Sequence, residues 1–104
     1  MKKIKFLIST VDGNKEVSGW IIDQDLPFFQ AGTLAIHKRY TGYNDYISKT
    51  WVVSHIPTGY GLGSAGGEDT KRDNVIELTA TKLAALNQKK VNKALKSKPI
   101  INQL

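Results

Sequence analysis

The chain has 104 residues, of which 40% are hydrophobic and 23% charged; that suits one domain with a small core and is too apolar for a disordered chain. Fifteen basic and nine acidic residues leave a net charge of +6, which favours acidic partners. There is no cysteine, so disulfide frameworks, thiolate nucleophiles, cysteine-based zinc sites and iron–sulfur clusters are excluded.

Lys2, Lys3 and Lys5 ahead of Phe6, Leu7 and Ile8 open like a secretory leader. The apolar run stops at Ser9, short of the roughly 7 to 15 apolar residues a leader needs. No run approaches the roughly 20 apolar residues of a membrane span. A cytoplasmic protein with no membrane partner is expected. Residues 3–11 read as a first strand, with Ile4, Phe6 and Ile8 on one face. Asp12-Gly13-Asn14 is a hairpin turn signal, and Lys15 to Ile22 reads as the partner strand.

Asp23 to Gly32 reads as a connecting loop. Its Leu26, Phe28 and Phe29 are expected under the core; the alternative is an exposed docking patch. Thr33 to Tyr40 is a third strand and Ile47 to Ile56 a fourth, closed by Pro57. Trp51, with Val52 and Val53, centres the most apolar strand and is expected to be buried. Five glycines between Thr58 and Gly67 predict a loop. Thr70 with Asp73 makes a capping-box pattern, with Asp69 an equally good cap. The helix that follows carries Ile76, Ala80, Leu83, Asn87, Val91 and Ala94 on one stripe. Its half beyond Asn87 has little to bury, and reads as a separate short helix or a protruding extension.

These elements predict an α+β fold: a four-stranded antiparallel sheet of two hairpins, with one C-terminal helix packed on one face. Residues 1–104 form a single domain in this reading, with 87–104 as a basic helical extension or tail. The other sheet face would be open and could support a homodimer.

The charge is unevenly placed. Residues 1–81 hold nine basic residues and all nine acids, whereas 82–104 hold six lysines and no acid. Such a segment attracts phosphate, acidic lipid or an acidic protein surface; a solvated helix end is the plainer alternative. Lysine without arginine argues against bidentate reading of base edges. The candidate binding lysines are Lys89, Lys90, Lys93 and Lys96.

A second candidate surrounds the turn between the third and fourth strands, where Tyr40, Tyr43 and Tyr46 lie among Lys38, Arg39 and Lys49. Aromatics interleaved with basic residues can stack nucleobases or anchor a protein partner; hairpin packing explains them equally well. The glycine stretch has no Gly-Lys-Ser/Thr of a P-loop, and no strand is expected after the helix to build a dinucleotide crevice, so a flexible loop, or a flap that orders on a partner, is the simpler reading. His37 and His55 would meet only if they paired across the hairpin, and a register of 40 opposite 49 would separate them. Two histidines make a poor zinc site without Asp45 or Asp23, and surface positions are expected for both. No catalytic residue, metal site or cofactor is expected.

The stretches Leu34-Ala35-Ile36-His37-Lys38 and Trp51-Val52-Val53-Ser54-His55-Ile56-Pro57-Thr58-Gly59 resemble, over about a third of the chain, small accessory proteins encoded by bacteriophages and mobile elements. There a self-contained hairpin precedes a basic helix. The resemblance implies binding of phage or host nucleic acid, or inhibition of a host enzyme or defence complex such as a CRISPR effector. The expected function is a small non-enzymatic binding protein for nucleic acid or for a nucleic-acid-handling protein. An inhibitor of a host protein is the alternative.

Overall fold

A computed structural model of the chain describes residues 1–40, 47–64 and 66–103. Among them are β1 (Lys2–Thr10), β2 (Gly13–Ile21), β3 (Leu34–Tyr40), β4 (Ile47–His55), β5 (Tyr60–Ser64), α1 (Arg72–Ala84) and α2 (Gln88–Lys96). The expected four strands and one helix are thus five strands and two helices. The strands form one antiparallel meander in sequence order.

The fifth strand comes from the glycine stretch. Pairing of Val52, Ser54 and His55 with Ser64, Gly61 and Tyr60 holds it, with a bulge on the way. The ladder bonds and the partly buried Leu62 outweigh the poor strand preference of glycine. The second helix is separate because Asn87 ends the stripe. Its side chain accepts from the backbone N–H of Lys89 at 2.9 Å and of Lys90 at 3.3 Å, which caps α2. Thr70 does not cap α1. Its hydroxyl accepts from Gly67 N–H, and Lys71 holds the cap position without a side-chain bond.

The outer sheet face carries Leu34, Ile36 and Val53 against Val75, Ile76 and Leu83 of α1. Leu26 and Phe29 close this core from below, held by mutual backbone bonds of 3.0 Å across Pro27 and Phe28. Leu26 and Phe29 therefore pack inward, as expected, and Phe28 does so only in part.

The inner face is not open. The sheet curls so that Phe6, Ile8, Val17, Ala35 and Ile56 form a second core on that face. Gly19 allows the curl: a Cβ there would lie 2.5 Å from the Ile36 carbonyl oxygen. The seam of the curl joins β1 to the turn after β4, where Ser9 N–H donates to the Gly59 carbonyl at 3.0 Å. Gly59 has φ +67°, and a Cβ would fall within 2.9 Å of Ile101, Leu7 and Ser9.

The chain's last described residues complete the seam. Ile101 and Asn102 donate their N–H groups to the Pro57 carbonyl. The Asn102 amide accepts from Leu7 N–H at 2.8 Å and donates to the carbonyls of Leu7 and Ile56, both at 2.7 Å. One side chain thus supplies what a neighbouring strand would supply, and the segment after α2 is tied down. No described helix is long and apolar enough to cross a membrane.

Candidate nucleic-acid interface

The exposed lysines of α2 are the simplest part of the site. Its apolar Val91 and Leu95 lean on the outer core and its lysines point away. Among the described residues the ion pairs are the Met1 amino group with Asp23 at 3.9 Å and Arg72 with Asp73 at 3.4 Å. Lys89, Lys90, Lys93 and Lys96 therefore have no carboxylate partner, and their field is uncompensated.

The hairpin candidate is only partly assembled. Tyr43 and Tyr46 lie outside the described residues. A register irregularity between Lys38 and Tyr40 turns Tyr40 toward the inner core and leaves Arg39 exposed. Lys38 is engaged within the fold: its ammonium donates to the Lys49 carbonyl at 3.0 Å and sits 4.2 Å above the Trp51 ring. Lys49 itself is exposed.

The tryptophans were not singled out as a site by the sequence. Trp51 is half-buried, correcting the expectation of a core residue, because it lies at the end of the sheet that α1 only begins to cover. Trp20, also half-buried, is flanked by Arg72 at 5.1 Å and Lys3 at 5.8 Å from its ring centre. Both indoles are thus occupied by the chain's own cations. Lys71, Arg72 and Trp51 line a shallow cavity at the start of α1. The α2 lysines follow the other end of α1, about 20 Å away for a 13-residue helix, so the two basic regions do not merge.

The histidines are on opposite faces because Leu34 pairs with His55, and His37 with Val52. Contrary to the surface expectation, His37 is 2% exposed. Its Nδ1–H donates to the Lys38 carbonyl, so Nε2 accepts from the Ser54 hydroxyl, both at 2.8 Å. Burial lowers the His37 pKa, against the opposing pull of the Lys38 carbonyl. A serine bonded to an imidazole is half of a nucleophilic pair, but Ser54 is also 2% exposed and no substrate reaches it here. His55 is half-buried, which lowers its pKa too, and its Nδ1 lies 2.9 Å from the Thr58 hydroxyl.

Two grooves flank α2. One of about 460 Å³ is mainly apolar, lined by Leu62, Leu83, Leu86, Val91 and Ala94 beside Lys90. The other, of about 590 Å³, lies between α2, the Leu26–Phe29 turn and His55. Neither was foreseeable in the sequence, since each needs α2 to fold back over the body. The chain matches no protein-family model, no curated protein and no solved structure.

Proposed function

We propose that the chain is a small non-enzymatic binding protein and that its target is a nucleic acid. The observation that supports this reading is the acid-free row of Lys89, Lys90, Lys93 and Lys96 on an exposed helix, without a single carboxylate partner among the described residues. Ammonium groups neutralise phosphates as point charges, so the expected contact is with the backbone and sequence preference is weak. The test is fluorescence anisotropy with single- and double-stranded DNA and with RNA at two salt concentrations. Replacing the four lysines by glutamine should lower the salt slope by about 3, at roughly 0.7 to 0.9 per phosphate contact. An unchanged slope would remove α2 from the interface.

A second reading, an inhibitor docked on an acidic host protein or defence complex, is favoured by the apolar groove beside Lys90. It predicts a partner that survives nuclease treatment in a pull-down and no salt-dependent binding of nucleic acid.

A further inference from the structure

The groove on the His55 side of α2 combines features that the lysine row alone does not explain. Its aromatic wall is Phe28, Phe29 and His55, and the Phe29 and His55 rings lie 5.6 Å apart. Phe28 has φ +73°, in the place that a type II turn after Pro27 normally gives to glycine. A phenylalanine there is strained, because at positive φ its Cβ crowds the backbone. The strain puts an aromatic ring at the mouth of the groove.

Three polar side chains around this wall are unspent, while Lys98 at the rim lies 5.0 Å from the Tyr60 ring centre. The side-chain amides of Gln30 and Asn92 and the ammonium of Lys96 line the groove and have no partner among the described residues. His55 can be assigned further. Thr58 is 3% exposed and its hydroxyl already accepts from Tyr60 N–H, so its own proton goes to His55 Nδ1. The imidazole proton then sits on Nε2, which is left as an unpaired donor. The volume of about 590 Å³ falls within the roughly 300 to 1,000 Å³ of small-molecule sites.

We infer that this groove receives one unstacked nucleobase of a single strand whose adjoining phosphates lie on Lys96 and Lys98, an inference that rests on the nucleic-acid reading above. The aromatic wall supplies the stacking surface. The two amides and His55 Nε2–H face the base edge, and the lysines at the rim take the backbone. The tryptophans are poorer platforms, because Lys38, Arg72 and Lys3 already cover them.

The test compares a short oligothymidine with an abasic oligomer of equal length and charge. The intact chain should prefer the base-bearing strand by about 5- to 150-fold, the worth of one stacked base. Phe28→Gly, which removes a stacking ring, should lose most of that preference while keeping the salt slope, and the exposed pair Gln30→Ala with Asn92→Ala, which face the base edge, should lose part of it at the same slope. Equal affinity of the intact chain for the two strands would overturn the inference and leave the lysine contact standing. A preference untouched in both variants would also overturn it, placing the base elsewhere. If neither strand binds at low salt, the nucleic-acid reading fails and this one with it. Thymidine monophosphate, with one phosphate, should compete at least about a hundredfold less well than the strand. Equal potency would assign the groove to free nucleotides instead.

Discussion

Removing the Asn102 amide tests the architecture most directly. Asn102→Ala deletes three hydrogen bonds, from Leu7 N–H at 2.8 Å and to the carbonyls of Leu7 and Ile56 at 2.7 Å. The site is half-buried, so water reaches part of it. At about 0.5 to 1.5 kcal/mol net per bond, the loss is about 2 to 4 kcal/mol, a large share of the roughly 5 to 15 kcal/mol of a small domain. Urea unfolding should show the midpoint falling by about 1 to 3 M at unchanged slope. Amide hydrogen exchange at Leu7 should accelerate selectively, because its N–H loses its acceptor while the β1–β2 ladder stays. Asn102→Asp keeps the acceptor but puts a carboxylate against two carbonyls, and should cost at least as much at neutral pH. A loss below about 0.5 kcal/mol in the alanine variant, with Leu7 still protected, would refute the account of the seam. The same bonds make truncation after Leu86 a poor probe of the basic segment, since it deletes the seam along with the charge.

Three further outcomes are expected. Burial lowers the folded-state pKa of His37 below the roughly 6.5 of the unfolded chain, so its contribution is present above pH 6.5 and is lost as the pH falls toward the folded value. Urea curves from pH 7.5 to 5 should show stability declining by at most about 1.4 kcal/mol per pH unit for each histidine, and His37→Gln should flatten that decline; a pH-independent stability would refute it. Gly59→Ala meets the Ile101 side chain and the backbone of Leu7 and Ser9 at positive φ, and should destabilise by at least about 2 kcal/mol in thermal unfolding. Trp51→Ala should cost about 2 kcal/mol, below the roughly 3 to 5 kcal/mol of a fully buried ring, and urea unfolding that shows a loss above 4 kcal/mol would mean the ring is a core residue after all.

The β1–β2 hairpin was readable because alternation and a turn signal agree there, but the turn is Val11-Asp12, and Gly13 and Asn14, expected in it, pair with Thr10 and Ser9 as the start of β2. The two buried phenylalanine-loop anchors, Leu26 and Phe29, were readable for the same reason: apolar residues in a polar loop must go somewhere. β5 was not, because what makes Gly61 part of a strand is the edge of β4 and not the local sequence. The curl was not, because nothing in the neighbourhood of Asn102 says that its amide will meet Leu7, a residue 95 positions away. Of the candidate site, the lysine row needed only charge counting. The position of Tyr40 needed the irregularity after Lys38, and the grooves beside α2 needed the cap at Asn87, where one polar residue on an apolar stripe begins a second helix.

The seam also sets an order of events. Each ladder of the sheet joins strands adjacent in sequence, and such hairpins form within about 10 μs. The contact between Leu7 and Asn102 must wait until Asn102 has been made. At about 5 to 20 residues per second, β1 leaves the ribosome about 5 to 20 s before the amide that will cover its far side. During that interval the nascent chain carries an uncapped strand edge, the kind of edge that pairs with other chains. Lys2, Lys3 and Lys5 line that strand, and their mutual repulsion between copies guards it until Asn102 arrives.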